Sequence, residues 1–258
     1  MRWPKIKRGP GTLYRKWASL RFLWVRDRDE VLRFLRAPLP MSTPARLALI
    51  WRFVHITNHV RAYHTQAELL RVARAILARP GPITVVEAGA AKGASTAKLS
   101  LLVRAVGGTL HVFDSFKGIP DNEEVHRNHD GRTVRFSKGA FLGRIGAVKR
   151  AVERYGAPEV CIYHRGWFAE TLPQFSEPVD VALLDVDLWS STRECIQYLY
   201  PLLKRDGVMF SQDGHLSTIT ERLSDPWFWS SLGIEDAELT GVGTDKLLEL
   251  RRRPTLAG

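Results

Sequence analysis

The sequence predicts an α/β fold in which a mostly parallel sheet is covered by helices on both faces. A short β-branched run over residues 83–86 passes through Glu87, Gly89 and Gly93 directly into a helical stretch. A second run, VDVALLDV over residues 179–186, is almost continuously apolar. Such a run is typical of a parallel strand that is buried on both faces. Together the two runs indicate a sheet whose first strand leads into a cofactor-binding turn.

The glycine-containing turn is the first candidate for a binding site. Gly89 permits a backbone turn that a side chain would obstruct, and Gly93 lets a ligand approach the positive end of the next helix. The spacing is Glu-x-Gly-x-x-x-Gly, with Ala91 where the dinucleotide fingerprint has a glycine that admits a pyrophosphate. The turn therefore favours S-adenosylmethionine, which carries no phosphate, over NAD. A turn whose glycines serve only the backbone is the structural alternative.

An acidic residue closes the second predicted strand. A helix predicted over residues 94–106 and a Gly-Gly turn lead into TLHVFD, residues 109–114. Asp114 thus follows Gly89 by twenty-five residues, where a ribose-binding domain places the carboxylate that accepts hydrogen bonds from the ribose hydroxyls. A helix N-cap at Asp114 is the competing interpretation, and the two are compatible.

Length and composition favour one substantial core. With 258 residues, of which 45% are hydrophobic, the chain suits a single α/β domain with an N-terminal extension. We divide it into a basic, aromatic-rich helical extension over residues 1–60 and a main domain over residues 61–258. The sequence leaves a homo-oligomer open.

The two cysteines and the distribution of apolar residues bear on the cellular compartment. Cys161 and Cys195 lie in apolar or helical stretches, which argues against a disulfide framework or a cysteine zinc site. No run of about 18 apolar residues is present, and the first residues lack the apolar segment of a signal peptide. We therefore expect a cytoplasmic protein without a membrane-spanning helix.

The net charge of +11 is concentrated near the start of the chain. The first 36 residues contain eleven Lys or Arg against three Asp or Glu, and aromatic residues such as Trp3, Trp17 and Trp24 lie among them. This pattern suits peripheral association with an anionic membrane surface, here the inner face of the membrane. The structural alternative is an amphipathic arm that packs on its own domain or on a second subunit. Nucleic acid is least favoured, because no RNA-binding signature accompanies the charge.

The remaining segments alternate between helical and strand patterns. Further helices are predicted over residues 45–60, 65–78, 147–155, 190–203 and 216–229, the last interrupted near Pro226, and further strands over 160–163, 208–211, 238–242 and 245–250. Between the second strand and Gly166, the polar segment 121–138 is the least predictable part of the core. Its His126 and His129 have a metal-binding spacing but lack further candidate ligands.

Three motifs in the same order resemble the macrocin O-methyltransferase (TylF-like) family. They are FDSFKGIP over residues 113–120, GWFAETLP over 166–173 and LDVDLWSST over 184–192. Members of that family are class I methyltransferases that modify sugars of natural products. The resemblance implies a Rossmann-like class I methyltransferase fold, with a seven-stranded sheet whose last strand is antiparallel and with a mobile segment over the substrate. It also implies that S-adenosylmethionine is bound by residues of the glycine turn and of the first two motifs, namely Glu87, Gly89, Ala90, Gly93, Asp114, Ser115, Gly166 and Trp167.

Acidic residues follow two neighbouring predicted strands. Asp185 and Asp187 end the apolar run, and Gln212-Asp213-Gly214-His215 follows the next strand. Carboxylates at the carboxyl ends of adjacent strands can converge on a divalent cation, and oxygen ligands suit magnesium. The candidate metal ligands are Asp185, Gln212 and Asp213. The metal would hold vicinal hydroxyls, lower the pKa of one and direct its oxygen at the methyl sulfonium.

The third metal ligand is where this chain departs from the family. TylF-like enzymes usually carry two consecutive acids at this point, whereas here the pair is Gln212-Asp213. A metal-free base, His215 or Asp185, is therefore an alternative, because imidazole titrates near neutral pH. A further alternative is that Asp185 and Asp213 have a structural role alone and cap helices.

The sequence thus predicts S-adenosylmethionine-dependent methyl transfer to a hydroxyl oxygen, with Asp185 and His215 as catalytic candidates. The resemblance alone implies that the hydroxyl belongs to a glycosyl group of a natural product, a glycolipid or a polysaccharide. The alternative is a non-catalytic S-adenosylmethionine-binding or scaffold protein that retains the fold, since Gln212 can mark a decayed site.

Overall fold

The computed structural model describes residues 26–243 and 246–253. The described helices are α1 (Arg28–Arg36), α2 (Thr43–His59), α3 (Gln66–Leu77), α4 (Ala94–Val106), α5 (Ile145–Tyr155), α6 (Phe168–Thr171), α7 (Trp189–Leu199), α8 (Ser217–Leu223) and α9 (Pro226–Ser231), with 3-10 turns at Pro158–Val160 and Leu172–Gln174. The described strands are β1 (Thr84–Ala88), β2 (Thr109–Asp114), β3 (His126–Arg127), β4 (Thr133–Val134), β5 (Cys161–Arg165), β6 (Val179–Leu184), β7 (Leu203–Ser211), β8 (Ala237–Thr240) and β9 (Leu248–Arg252).

Seven strands form the main sheet in the order β5-β2-β1-β6-β7-β9-β8. The five strands from β5 to β7 are parallel, whereas β9 is antiparallel to both β7 and β8. This arrangement confirms the predicted mostly parallel α/β fold with an antiparallel end. The strand order reverses direction between β1 and β6, which is where open α/β sheets bind their ligands.

Each face of the sheet is covered by its own hydrophobic cluster. Val85 belongs to the cluster beneath α1 to α5, and Val86 belongs to the cluster beneath α7 and α8. Neighbouring side chains of a strand point to opposite faces, so the apolar β1 and β6 are buried on both sides. None of the described helices is long and apolar enough to cross a membrane.

The helices α1 and α2 pack against the main domain through α3 and α4. Phe34 of α1 and Phe53 of α2 are buried in the same cluster as β1. The buried guanidinium of Arg46 donates to five carbonyl groups between Phe34 and Met41, which fixes the connection between α1 and α2. Residues 1–25, which hold seven of the eleven Lys and Arg residues among the first 36, lie outside the described residues. The division at residue 60 therefore stays a prediction.

The helix predicted over residues 190–203 is longer than the observed α7, and the strand predicted over residues 208–211 is shorter than the observed β7. Helix α7 ends at Leu199, and β7 begins at Leu203 instead of at residue 208. Leu203 pairs with Val179 and Val208 pairs with Val181, so residues 204–207 interrupt the regular register of β7. A Cβ at Gly207 would lie 2.8 Å from both the Leu203 side chain and the Lys204 carbonyl oxygen, so the chain folds back on itself here and the glycine leaves room for that contact.

The predicted C-terminal hairpin is present as β8 and β9, but its connection is longer than a tight turn. The strands end at Thr240 and resume at Leu248, and residues 244–245 of the connection lie outside the described residues. The backbone N–H of Gly214 donates to the carbonyl of Lys246 at 2.9 Å. This bond holds the connection against the end of β7. The connection therefore spans more residues than a tight turn between β8 and β9 would need.

The polar segment 121–138 contains the small β3-β4 hairpin and is held to the rest of the fold by contacts of Glu124 and His129. The Glu124 carboxylate accepts hydrogen bonds from the backbone N–H of Trp189 at 2.7 Å and of Ser190 at 3.0 Å. Burial raises the pKa of Glu124, but bonds from His126 and from the start of α7 outweigh it and hold that pKa at about 2. His129 Nε2 lies 2.6 Å from the Gly214 carbonyl oxygen. The two histidines thus bond within the fold, on different partners.

Candidate active site

A cleft of about 800 Å³ lies at the carboxyl ends of β1, β2, β5 and β6. Of the predicted site residues, seven line it: Gly89, Asp114, Ser115, Gly166, Trp167, Asp185 and His215. Aromatic and apolar side chains complete one wall, including those of Tyr63, Phe136 and Phe141. A cavity of this size, mostly apolar with a few converging polar groups, is typical of a small-molecule site.

The two glycines of the turn allow close contacts between backbones. Gly89 has a φ of +92°, and a Cβ there would lie 2.1 Å from the Asp185 carbonyl oxygen. Gly93 has a φ of +83° and precedes α4, and a Cβ there would lie 3.0 Å from Val148. A side chain at either position would be strained and would clash. The turn thus brings the end of β1 and the end of β6 together at the bottom of the cleft.

A third glycine, Gly143, supports the turn from outside. A Cβ at Gly143 would lie 1.4 Å from the carbonyl oxygen of Ala91. The Lys92 ammonium also donates to the Leu142 carbonyl, so the segment before α5 packs directly on the turn. Sequence reasoning missed Gly143, because the contact joins residues about fifty positions apart and leaves no local pattern.

The Asp114 carboxylate is already bound to backbone groups. Its Oδ2 accepts hydrogen bonds from the N–H groups of Ala90 at 2.7 Å and Ala91 at 3.2 Å, and its Oδ1 accepts one from Phe116 at 2.6 Å. Burial raises the pKa of Asp114, and these three bonds oppose the rise. A carboxylate has about four lone-pair positions, so acceptor capacity for ribose hydroxyls remains. Ser115 follows in the same loop, and its hydroxyl donates to the Gly118 carbonyl at 3.3 Å.

Glu87 lies below the cleft and does not line it. Its side chain is buried with 1% of its surface exposed. Burial raises its pKa to about 8, against the opposing effect of the hydroxyls of Ser95 and Thr96 at the start of α4. Ala90, also buried, touches the site only through its N–H bond to Asp114. Both residues therefore shape the turn from behind.

Gly166 and Trp167 follow β5 and line the cleft. The backbone N–H of Gly166 donates to the Asp114 carbonyl at 3.2 Å, which ties the two strand ends together. The Trp167 ring lies 5.8 Å from the Lys117 ammonium, and its backbone N–H donates to Glu170 at 3.1 Å. These bonds fix an aromatic ring beside the Asp114 loop.

Three carboxylates converge at the end of β6 and β7. Asp185, Asp187 and Asp213 each offer an oxygen, and these oxygens lie within 4.8 Å of one another. Asp213 Oδ2 accepts hydrogen bonds from the backbone N–H groups of Asp187 at 3.1 Å and Val186 at 3.4 Å. Asp187 has a φ of +62°, an uncommon conformation for a residue other than glycine, and such strained residues cluster at functional sites.

Burial raises the pKa of all three carboxylates above that of an ordinary aspartate. Burial raises the pKa of Asp185 to about 7, and the Asp213 charge adds to the rise. The pKa of Asp187 is well above its ordinary value because of burial and then of Asp213 and Asp185. One cation opposes this effect: Lys246 lines the cleft and lowers the pKa of all three aspartates.

Lys246 is a site residue that sequence reasoning missed. Burial lowers its pKa, but the charges of Asp185, Glu68 and the other two carboxylates outweigh this effect and raise it. Its ammonium donates to the Tyr63 carbonyl at 3.2 Å. Lys246 falls within the strand predicted over residues 245–250, whereas the structure places it in the β8-β9 connection before β9 begins at Leu248, so no local signal marked it.

Gln212 and Asp213 present unpaired oxygens in this region. The Gln212 side chain is fully buried, and its Nε2 donates to Oε2 of Glu68 at 2.8 Å. Gln212 Oε1 and Asp213 Oδ1 are buried without a hydrogen-bond partner among the described residues. Buried oxygens without donors are the atoms that a bound cation satisfies. The residues present therefore fit a divalent metal, although one of them is neutral.

His215 lines the cleft beyond Asp213. Burial lowers its pKa to about 4, and the positive charge of Lys246 contributes to the shift. The imidazole is consequently neutral at physiological pH and a weak base. Its Nδ1 is buried without a hydrogen-bond partner among the described residues.

Comparison with known proteins identifies the family. Residues 64–225 match the model of the macrocin O-methyltransferase (TylF) family. The chain belongs to this family. It is an S-adenosylmethionine-dependent O-methyltransferase, and the resemblance carried by the three motifs is confirmed.

Individual relatives agree with the family and the fold. The chain is 28% identical over 176 residues to 8-demethyl-8-(2,3-dimethoxy-alpha-L-rhamnosyl)-tetracenomycin-C 4'-O-methyltransferase of Streptomyces olivaceus, which covers 65% of this chain and 67% of that protein. The structure of the O-methyltransferase NovP matches with a TM-score of 0.59 and 22% identity over 75% of this chain and 84% of that one. The calicheamicin methyltransferase CalS11 matches with a TM-score of 0.53 and 15% identity over 83% and 95%. The structural matches show the Rossmann-like class I methyltransferase fold.

Proposed function

We propose that this O-methyltransferase methylates a hydroxyl group of a glycosyl unit on a natural product, a glycolipid or a polysaccharide. The observation that carries the proposal is the convergence of Asp185, Asp187 and Asp213 at the wall of a large, mostly apolar cleft. A sugar hydroxyl must lose its proton to become a nucleophile, and buried carboxylates can accept it. The relative from Streptomyces olivaceus is named as a methyltransferase of a rhamnosyl group, which supports a glycosyl acceptor.

We assign cofactor binding to the side of the cleft formed by the turn and the Asp114 loop. S-adenosylmethionine supplies an electrophilic methyl group when it is bound. Gly89 and Asp114 would contact its sugar and amino acid portions, while Ser115, Gly166 and Trp167 lie where a flat base can stack. Glu87, Ala90 and Gly93 would act indirectly, by holding the turn in its bound shape.

The proposed base is a carboxylate of the cluster, Asp185 or Asp187. Both line the cleft. The pKa of Asp185, raised to about 7 by burial, suits a group that must accept a proton near neutral pH. The hydroxyl oxygen forms a bond to the methyl carbon, its proton passes to the carboxylate, and the bond between that carbon and sulfur breaks. His215, held neutral, would orient the hydroxyl by a hydrogen bond and is the weaker candidate for the base.

A divalent metal is a further part of the proposal. Asp185, Asp213 and the unpaired Oε1 of Gln212 would hold it, with Asp187 as an additional oxygen ligand. Magnesium supplies a positive charge that acidifies a coordinated hydroxyl. The ammonium of Lys246 already offsets part of the negative charge, so we expect a metal to assist transfer rather than to be indispensable.

The acceptor class is tested by paired substrates. Purified enzyme and S-adenosylmethionine are incubated with matched glycosides and their aglycones, in magnesium and in EDTA, and products are detected by mass spectrometry. The proposal predicts a mass increase of one methyl group on the sugar fragment of glycosides only. Methylation of aglycones at the same rate would contradict the glycosyl acceptor while leaving O-methylation intact.

We also infer where the enzyme works and with what partners. The basic, aromatic-rich start of the chain supports a cytoplasmic protein that associates peripherally with the inner face of the membrane, where a lipid-linked acceptor would be available. The partner that we expect the cleft to bind is the acceptor. Light scattering of the full chain would measure whether the protein self-associates into a homo-oligomer.

A further inference from the structure

A second cavity, of about 330 Å³, lies between the C-terminal ends of α2 and α5, apart from the catalytic cleft. It is lined by Arg52, His55, Ile56, His59, Arg154 and Tyr155. None of these lining residues is acidic, and two of them carry guanidinium groups. The methyl-transfer chemistry uses none of them.

The aromatic residues of the cavity form one packed group. The rings of His55 and His59 lie 4.2 Å apart, and the Tyr155 ring lies 5.7 and 5.5 Å from them. His59 Nδ1 lies 2.8 Å from the His55 carbonyl oxygen, so Nδ1 carries the proton and Nε2 remains for another partner. The Arg154 guanidinium lies 5.3 Å from the Tyr155 ring centre. The wall is thus built from groups that hold one another in place.

The positive charge of the cavity wall favours an anionic ligand over a cation. Two histidines four residues apart on a helix can bind a transition metal, but the adjacent guanidiniums of Arg52 and Arg154 would repel a cation. The planar guanidinium group instead binds two oxygens of a phosphate through paired hydrogen bonds. The ligand chemistry that the cavity fits is therefore a phosphate group.

The exposed face of α2 extends the cavity with apolar side chains. Leu47 and Trp51 are 50% and 45% exposed, and with His55 and His59 they continue one stripe at four-residue spacing. The seventeen residues of α2 include no Asp or Glu. A tryptophan and a leucine beside cationic side chains are the combination that lies at a membrane interface, whereas a soluble phosphate compound would need no such apolar face.

We propose that this face, defined by Leu47, Trp51 and the cavity, binds the phosphate of an anionic lipid headgroup in a bilayer. Trp51 and Leu47 enter the interface, while Arg52 and Arg154 bind the headgroup. The net charge of +11 draws the chain to such a surface. The inference gives the proposed membrane association a location in the fold and does not depend on methyl transfer. Because Arg61 lines the catalytic cleft two residues after His59, docking would place that cleft beside the bilayer.

The test is flotation of the full chain with vesicles of phosphatidylcholine, with and without phosphatidylglycerol. The informative variant is Arg52→Ala with Arg154→Ala. The matched control, Arg193→Ala with Arg253→Ala, removes the same charge from exposed positions on the other side of the sheet. Each basic residue at an anionic surface contributes a factor of about five to partitioning, so we expect roughly a thirtyfold loss for the first pair and about twofold for the control.

Several outcomes would overturn the proposal. Equal losses in both double variants would show that only overall charge, including that of residues 1–25, drives binding. Unchanged partitioning of Trp51→Ala, or full competition by glycerol 3-phosphate, would assign the cavity to a soluble phosphate, and equally sensitive binding of duplex DNA would assign it to nucleic acid. Unchanged melting temperature and S-adenosylhomocysteine affinity verify that each variant is folded, and a failure of methyl transfer would leave these results unaffected.

Discussion

Gln212 and Glu68 form a hydrogen bond of 2.8 Å between the end of β7 and the first turn of α3. The same Glu68 Oε2 accepts the backbone N–H of Thr65 at 2.9 Å, as part of the capping box that begins α3. An acid at position 212 would place two carboxylates in direct contact in a buried region, which costs free energy. The neutral glutamine is therefore matched to Glu68, and this contact gives a structural reason for the departure from the two consecutive acids of the family.

The first prediction concerns this pair. Gln212→Glu should lower the free energy of unfolding by about 2 kcal/mol in EDTA, because a donor is lost and a buried charge is added. Magnesium should restore part of that loss by binding the new carboxylate. Thermal unfolding with and without magnesium measures both effects. The double variant Glu68→Gln with Gln212→Glu exchanges the charges and should recover stability; if it does not, the pair is not the cause.

A second prediction uses the raised pKa of Asp187. The folded state holds this proton more tightly than the unfolded chain does, so the stabilisation present at low pH is lost as pH rises through the folded pKa. Asp187→Asn removes the titration and keeps a residue that tolerates a positive φ. The variant should therefore gain stability relative to the wild type as pH rises, while methyl transfer falls. Melting temperatures measured from acid to alkaline pH would contradict this if the difference between the two proteins stayed constant.

The pH dependence of kcat distinguishes the candidate bases. With Asp185 titrating at a pKa of about 7, kcat in EDTA should rise with pH through that value, because only the ionised carboxylate accepts a proton. A bound magnesium ion should lower this pKa and shift the limb to lower pH. His215→Gln should retain the limb, since the histidine pKa is about 4. Loss of the limb in that variant would instead make His215 the base.

A fourth prediction separates the shape of the turn from its chemistry. Gly143→Ala should displace the Ala91 carbonyl, which its Cβ would approach to 1.4 Å, and weaken S-adenosylhomocysteine binding at least tenfold, or roughly 1.4 kcal/mol. Gly146→Ala, three residues later in α5, meets only the end of Arg150 at 3.5 Å. That control should bind normally and gain about 0.5 kcal/mol of stability. Equal affinities of the two variants for S-adenosylhomocysteine would show that the turn is not part of the cofactor site.

Local sequence patterns predicted most of the elements that build the cleft. The strand at Thr109–Asp114 and the helix at Ala94–Val106 have the predicted bounds, because apolar runs and glycines mark them locally. The predicted start of β7 was wrong, since Leu203 pairs with Val179 of another strand before the irregularity at residues 204–207. Periodicity within one segment carries no information about such a partner.

The site was predictable only where its residues belong to a motif. Asp185 and Asp213 follow apolar strands, whereas Lys246 comes from a loop and Gly143 from a contact across the fold. Lys98 is a further case: it lies within the predicted helix over residues 94–106, yet it is fully buried, with a pKa lowered to about 7 by burial. Its ammonium bonds Thr57 at 2.7 Å and lies 2.9 Å from His64 Nε2. It thereby holds the segment that carries Tyr63 into the cleft.

The central claim is that the carboxylate cluster performs methyl transfer to a hydroxyl. The most direct measurement is the transfer of an isotope-labelled methyl group from S-adenosylmethionine to a rhamnosylated acceptor by the wild type and by Asp185→Asn, with S-adenosylhomocysteine affinity measured in both. The account predicts an O-methylated sugar from the wild type, and a loss of at least a hundredfold, or roughly 2.7 kcal/mol, in a variant that still binds S-adenosylhomocysteine. Equal turnover by both proteins would contradict it.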